Sequence, residues 1–297
     1  MRVTFYIRTI AATSVLLGLS VSLHANLPEK VGATACMACH ADQVEQFKNN
    51  IHAKTFSAVK KITFEESCET CHGAGSQHVE AGGDKANPGF ATMRNLRKMS
   101  AGESSESCLK CHESGNRTFW KGSHHESRDI SCLSCHSVHN AKSSKLLVKE
   151  SESETCYQCH SLRKAQSMRS SHMPLREGKM ECSTCHNAHG SPGPKLLIQN
   201  SVNENCYSCH AEKRGPFLWE HPPVRENCLN CHEAHGSQHD KLLNAKRPRL
   251  CQQCHIEARH PTTGLEPNSL RLAGRSCTEC HQTTHGSNHP SGVRFIR

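Results

Sequence analysis

Aromatic residues make up only 4% of this 297-residue chain, and its mean hydropathy is −0.63. An ordinary core for that length needs more apolar side chains, so the polypeptide is not expected to build one unaided. Glycine and proline, 19 and 12 residues, are scattered throughout and exclude long regular elements. Beyond residue 25 no apolar run approaches the roughly 20 residues that cross a bilayer. No cysteine precedes Cys36, so a lipid-anchor cysteine is not expected either.

Cysteine and histidine are abundant instead, at 20 and 24 residues. Every cysteine falls in a Cys-x-x-Cys-His unit. Numbered in chain order, motifs 1 to 10 close on His40 (after Cys36 and Cys39), His72 (Cys68, Cys71), His112 (Cys108, Cys111), His136 (Cys132, Cys135), His160 (Cys156, Cys159), His186 (Cys182, Cys185), His210 (Cys206, Cys209), His232 (Cys228, Cys231), His255 (Cys251, Cys254) and His281 (Cys277, Cys280). In such a unit both thiols add to the vinyl groups of one haem, and the histidine falls under the iron as axial ligand. Zinc knuckles or disulfides would use paired cysteines but would not require a histidine after the second one in all ten units. The motifs predict ten covalently bound haem c groups. The expected fold class is therefore a multihaem cytochrome c: mostly irregular, elongated, with short α-helices wrapped around ten covalent haems.

Residues 1–25 carry Arg2 and Arg8, an apolar stretch from Ile10 to Val21 and a small residue at Ala25, which together read as a secretory signal. Export agrees with haem attachment outside the cytoplasm. The formal charge of +9 falls to +7 without those two arginines. Ten haems would add roughly −20 from propionates and roughly +10 from ferric iron, leaving the oxidised protein near −3. A nucleic-acid partner is accordingly not expected, and lysines and arginines are assigned to propionates.

Thirteen histidines remain beyond the signal and the motifs. One class follows a motif closely: His78, His139, His189, His235 and His285. A second class follows the alternate motifs at longer range: His52, His125, His172, His221 and His260. Five and five supply one distal ligand per iron. The close class is expected to reach across to a neighbouring haem, and the looser class is expected to fold back over the haem of its own motif. His125 is preferred to His124 and His285 to His289, while His239 has no assigned role. The methionines keep no constant offset from the motifs, which argues against thioether ligation.

The modules beginning at Cys132, Cys182 and Cys228 are plainly related. Five motifs end by His160 and five begin at Cys182, which suggests two pentahaem halves, 26–170 and 171–297. Stacked repeats of this kind touch mainly their neighbours.

The runs ENCYSCHAEKRGPFLWEHPPVRENCLNCHEAHGS and GRSCTECHQTTHGSNHPSG, with LCQQCH between them, resemble the MtrA and DmsE family of periplasmic decahaem cytochromes c. The resemblance covers essentially the whole exported chain. It implies a bis-histidine haem wire inside an outer-membrane β-barrel of the MtrB type. Its partners would be periplasmic or inner-membrane cytochrome donors and an outer-surface multihaem cytochrome or reductase. Two other readings stand beside it: a soluble periplasmic electron carrier or capacitor, and a multihaem reductase, which would need an iron left open. Ten candidates for ten irons favour electron transfer over catalysis.

Overall fold

The computed structural model describes residues 27–170, 175–255 and 276–296. The signal segment, His172 and His260 lie outside the described residues. Helices are short; the longest, Phe64–His72 and Ala101–Leu109, have nine residues each. Both begin at capping boxes, Thr63 with Glu66 and Ser100 with Glu103, the Ser/Thr-x-x-Glu pattern that satisfies two otherwise free amides. No β-strand occurs among the described residues, only isolated antiparallel bridges such as His136 with Leu147.

Motif 2 lies at the end of helix Phe64–His72, but the other even motifs are built differently from the odd ones. Odd motifs end a helix: Ala33–Met37, Ala101–Leu109, Glu152–Tyr157, Val202–Tyr207 and Arg249–Gln252 run into motifs 1, 3, 5, 7 and 9. In motifs 1, 5 and 7 the motif histidine then heads the next element: His40 for Ala41–Lys48, His160 for Ser161–Ser167 and His210 for Ala211–Lys213. Even motifs 4, 6 and 8 occupy a single turn, and the chain then doubles back on them. Ser137, Asn187 and Glu233 amides donate to the carbonyls of Leu146, Leu196 and Leu242 at 2.8, 2.7 and 2.7 Å. Each return loop passes through a left-handed backbone without glycine, at Leu146, at Lys195 and Leu196, and at Lys241 and Leu242. Such conformations are costly for these residues and persist where the surroundings impose them.

The interior holds little hydrocarbon. Among the described residues the buried apolar side chains are Ala33, Val44, Phe47, Phe56, Ala81, Leu109, Trp120, Leu147 and Leu243. In place of a core there is one continuous cavity of about 5560 Å³. All twenty cysteines and all ten motif histidines line it. Divided among ten motifs it provides about 560 Å³ each, within the roughly 300–1,000 Å³ of a cofactor pocket.

The segments on either side of residue 170 are cross-tied. Lys145 bridges Glu152 and Glu181, Glu152 accepts from the Ser183 amide, and Ser170 pairs with Ser237.

Candidate metal centres

Each described histidine of the two distal classes faces one motif histidine. Ring centres lie 6.4 Å apart for His40 and His78, 6.1 Å for His72 and His139, and 6.0 Å for His112 and His52. The same spacing recurs at 6.0 Å for His136 and His189, 6.1 Å for His160 and His125, and 6.0 Å for His186 and His235. His232 with His285 and His255 with His221 complete the series at 6.1 and 6.2 Å. An imidazole nitrogen bound at about 2.0 Å puts two rings that share one metal roughly 6 Å apart, centre to centre. These gaps therefore fit one iron between each pair.

The pairing follows a rule. His139, His189, His235 and His285 follow motifs 4, 6, 8 and 10, and they face the histidines of motifs 2, 4, 6 and 8. His52, His125 and His221 follow motifs 1, 3 and 7, and they face motifs 3, 5 and 9. The close class thus reaches backward by two motifs and the looser class forward by two, while His78 closes motif 1. The expectation that a looser histidine folds over its own motif is corrected here. Helix Ala41–Lys48 carries the chain about 12 Å from His40, so His52 arrives at motif 3 instead. At the two ambiguous positions, His125 rather than His124 faces His160, and His285 rather than His289 faces His232. His239 heads the turn Asp240–Leu242 and its amide donates to Ser237 Oγ.

Burial favours the neutral form of six second histidines, the form that metal ligation requires. Burial lowers the pKa of His52, His139, His221, His235 and His285, and takes His189 to about 4. Nearby carbonyls fix the tautomer. Among the even motifs, Nδ1 of His72, His136, His186 and His232 donates to the carbonyls of Arg94, Lys145, Lys195 and Lys241 at 2.8, 3.1, 3.0 and 2.9 Å. His281 does the same with Arg294. With Nδ1 protonated, Nε2 presents its lone pair to the metal, and the bonded imidazole becomes a stronger donor. These five basic residues were not singled out from the sequence. The constant nine-residue step from His136, His186 and His232 to the lysine of each KLL run was the available signal.

The motifs also touch in order. Cys36 is raised to about 11, mainly by burial and then by neighbouring Cys68, with which it shares a hydrogen bond. The Cys108 thiol hydrogen-bonds Cys132 and lowers it to about 6, and Cys156 and Cys206 likewise lower Cys182 and Cys228 to about 7. Cys251 hydrogen-bonds Cys277. Between these doublets the second cysteines lie near enough to act on one another electrostatically: Cys111 on Cys71, Cys159 on Cys135, Cys209 on Cys185 and Cys254 on Cys231. All nine successive junctions are accounted for. The cavity wall carries fourteen lysines and arginines against four glutamates, a bias suited to dicarboxylate groups.

Comparison with known proteins agrees with this chemistry. The doubled CXXCH motif family matches residues 124–165, 172–215 and 221–260, and the cytochrome c554 and c-prime family matches residues 35–67. The multiheme cytochrome MtrA of Shewanella baltica (strain OS185) is 43% identical over 277 residues, which cover 90% of this chain and 81% of that protein.

Proposed function

Because the chain belongs to the MtrA family of multihaem c-type cytochromes, we propose that it is a decahaem electron conduit with all ten irons held between two histidines. Haem bound in this way supplies one-electron exchange between ferric and ferrous iron. The observation that carries the reading is the set of eight imidazole pairs at 6.0 to 6.4 Å, strung along nine contiguous motif junctions. The remaining motif histidines, His210 and His281, take His172 and His260. His172 follows from the forward rule, and His260 closes the chain end as His78 closes its start. The motif cysteines anchor the haems covalently, and the wall cations neutralise propionates.

The conduit works in the periplasm, sheathed by an outer-membrane β-barrel of the MtrB type. Among the described residues no helix is long and apolar enough to cross a membrane. Irregular backbone cannot face lipid, whereas a barrel can face lipid outward and the cytochrome inward. A row of ten centres suits a layer about 30 Å thick better than it suits a diffusing shuttle. Electrons pass between periplasmic or inner-membrane cytochromes and an outer-surface multihaem cytochrome or reductase. The test is detergent co-purification with the barrel, followed by electron transfer into sealed vesicles from an external reductant. Recovery wholly in the soluble periplasmic fraction, with no transfer into vesicles, overturns the conduit and leaves the soluble carrier.

A further inference from the structure

We propose that the segments Ala188-His189-Gly190 and Thr284-His285-Gly286 are clamps, each setting the second histidine of two successive irons, with the glycine as the positioning residue. The proposal rests on the axial reading of the histidine pairs given above. In the first clamp His189 faces His136 of motif 4, while the carbonyl of Ala188 accepts from His125 Nδ1 at 2.8 Å. His125 itself faces His160 of motif 5. In the second, His285 faces His232 of motif 8, and the carbonyl of Thr284 accepts from Nδ1 of His221, the partner of His255 in motif 9, at 3.1 Å.

Glycine is required because two chain segments cross at that point. Gly190 and Gly286 have φ of +107° and +136°, where a side chain is strained. A Cβ on Gly190 would collide with the backbone carbonyl of Phe119, and one on Gly286 with the ring of Phe217. Both crossing residues precede the forward-reaching histidine by a few positions. Beyond the second glycine, Ser287 and Trp219 exchange two backbone bonds of 2.9 Å, which locks the crossing. Gly236 makes a third close crossing against the carbonyl of Gln166. A side chain must therefore part the strands, freeing one imidazole from its carbonyl and swinging the other off its axis. The earlier crossing near His139 is built otherwise: Asn140 follows the histidine, and the carbonyl of Val138 accepts from Asn50 Nδ2 rather than from His52.

EPR of the oxidised holoprotein, with carbon-monoxide binding after reduction, tests the clamp. The ring planes cross at 65° in the His125 pair but at 12° in the His189 pair, so their ferric signals differ. Gly190→Ala is expected to alter one crossed-plane and one parallel-plane signal. His189→Ala should alter only the parallel one and open a single carbon-monoxide site, and Gly102→Ala, whose Cβ meets nothing, should alter neither. If His189→Ala opens no iron, the axial reading falls. If it opens one while Gly190→Ala changes fewer than two signals, the clamp falls and the axial reading stands. Should Gly190→Ala fail to accumulate, Gly286→Ala decides by the same count at motifs 8 and 9, where two altered signals support the clamp and fewer overturn it.

Discussion

Even motifs fasten the imidazole nearest the cysteines to a backbone carbonyl, whereas odd motifs 1, 5 and 7 leave it at the head of the next helical element. Among the described residues no carbonyl holds Nδ1 of His40, His112, His160 or His255, while all five even-motif histidines are held. The odd side recovers some of that hold through its second histidine: His78, His125 and His221 donate to Phe90, Ala188 and Thr284. Motif 3 has neither, since His52 Nδ1 is buried without a partner. Motif 6 has both, because His235 Nδ1 meets the carboxylate of Glu233 at 3.2 Å. Motif architecture thus becomes uneven donor strength along the chain.

The strongest way to break this comparison is to remove an exchanged ligand. His52→Ala is expected to open the iron of motif 3 and leave motif 1 intact, and His221→Ala to open motif 9 rather than motif 7. Carbon-monoxide titration should count one site in each, and a ligand-free iron at motif 1 or 7 would break the two-motif rule. Next in size is the spread of potentials. Stronger donors favour ferric iron, so among the eight described pairs motif 3 should be the most readily reduced and motif 6 the least, separated by at least about 60 mV, one decade in electron partition. Glu233→Gln should raise the lowest potential and narrow that spread in a spectroelectrochemical titration. A subtler distinction lies in ring orientation. The described even motifs have planes within 12° to 27° of parallel, while motifs 3 and 5 cross at 85° and 65°, so two strongly anisotropic ferric signals are expected from these eight. The smallest effect belongs to Lys145→Ala. Its exposed ammonium pairs with Glu152 and Glu181 and is worth up to about 1 kcal/mol in thermal unfolding. Its carbonyl remains on His136, so the two-histidine ligation of motif 4 should not change.

Cysteine pairs followed by histidine were legible without coordinates because that chemistry is local, and so were the two histidine classes. Which ring faces which was not. A histidine twelve residues past His40 could return over the same haem or continue onward, and the direction of helix Ala41–Lys48 decides. The KLL runs show a similar limit. Their spacing was visible, but the role of Lys195 and Lys241 lies in a left-handed main chain that presents a carbonyl, and no side-chain pattern announces that. The composition argument held because nine buried apolar side chains among the described residues leave the interior to something else.

The backward and forward reach of the histidines has a consequence for how such an array can change size. Each two-motif repeat from His125, His172 or His221 onward, holding motifs 4 and 5, 6 and 7 or 8 and 9, starts on the histidine assigned to its own second motif and sends another to the repeat before it. A duplicated repeat of this kind dropped into the series would find its donors and acceptors already matched at both seams. One extra motif on its own would shift the parity, pairing helix-ending units with turn units. Arrays on this plan lengthen in steps of two, with the terminal motif at each end closed by its neighbour.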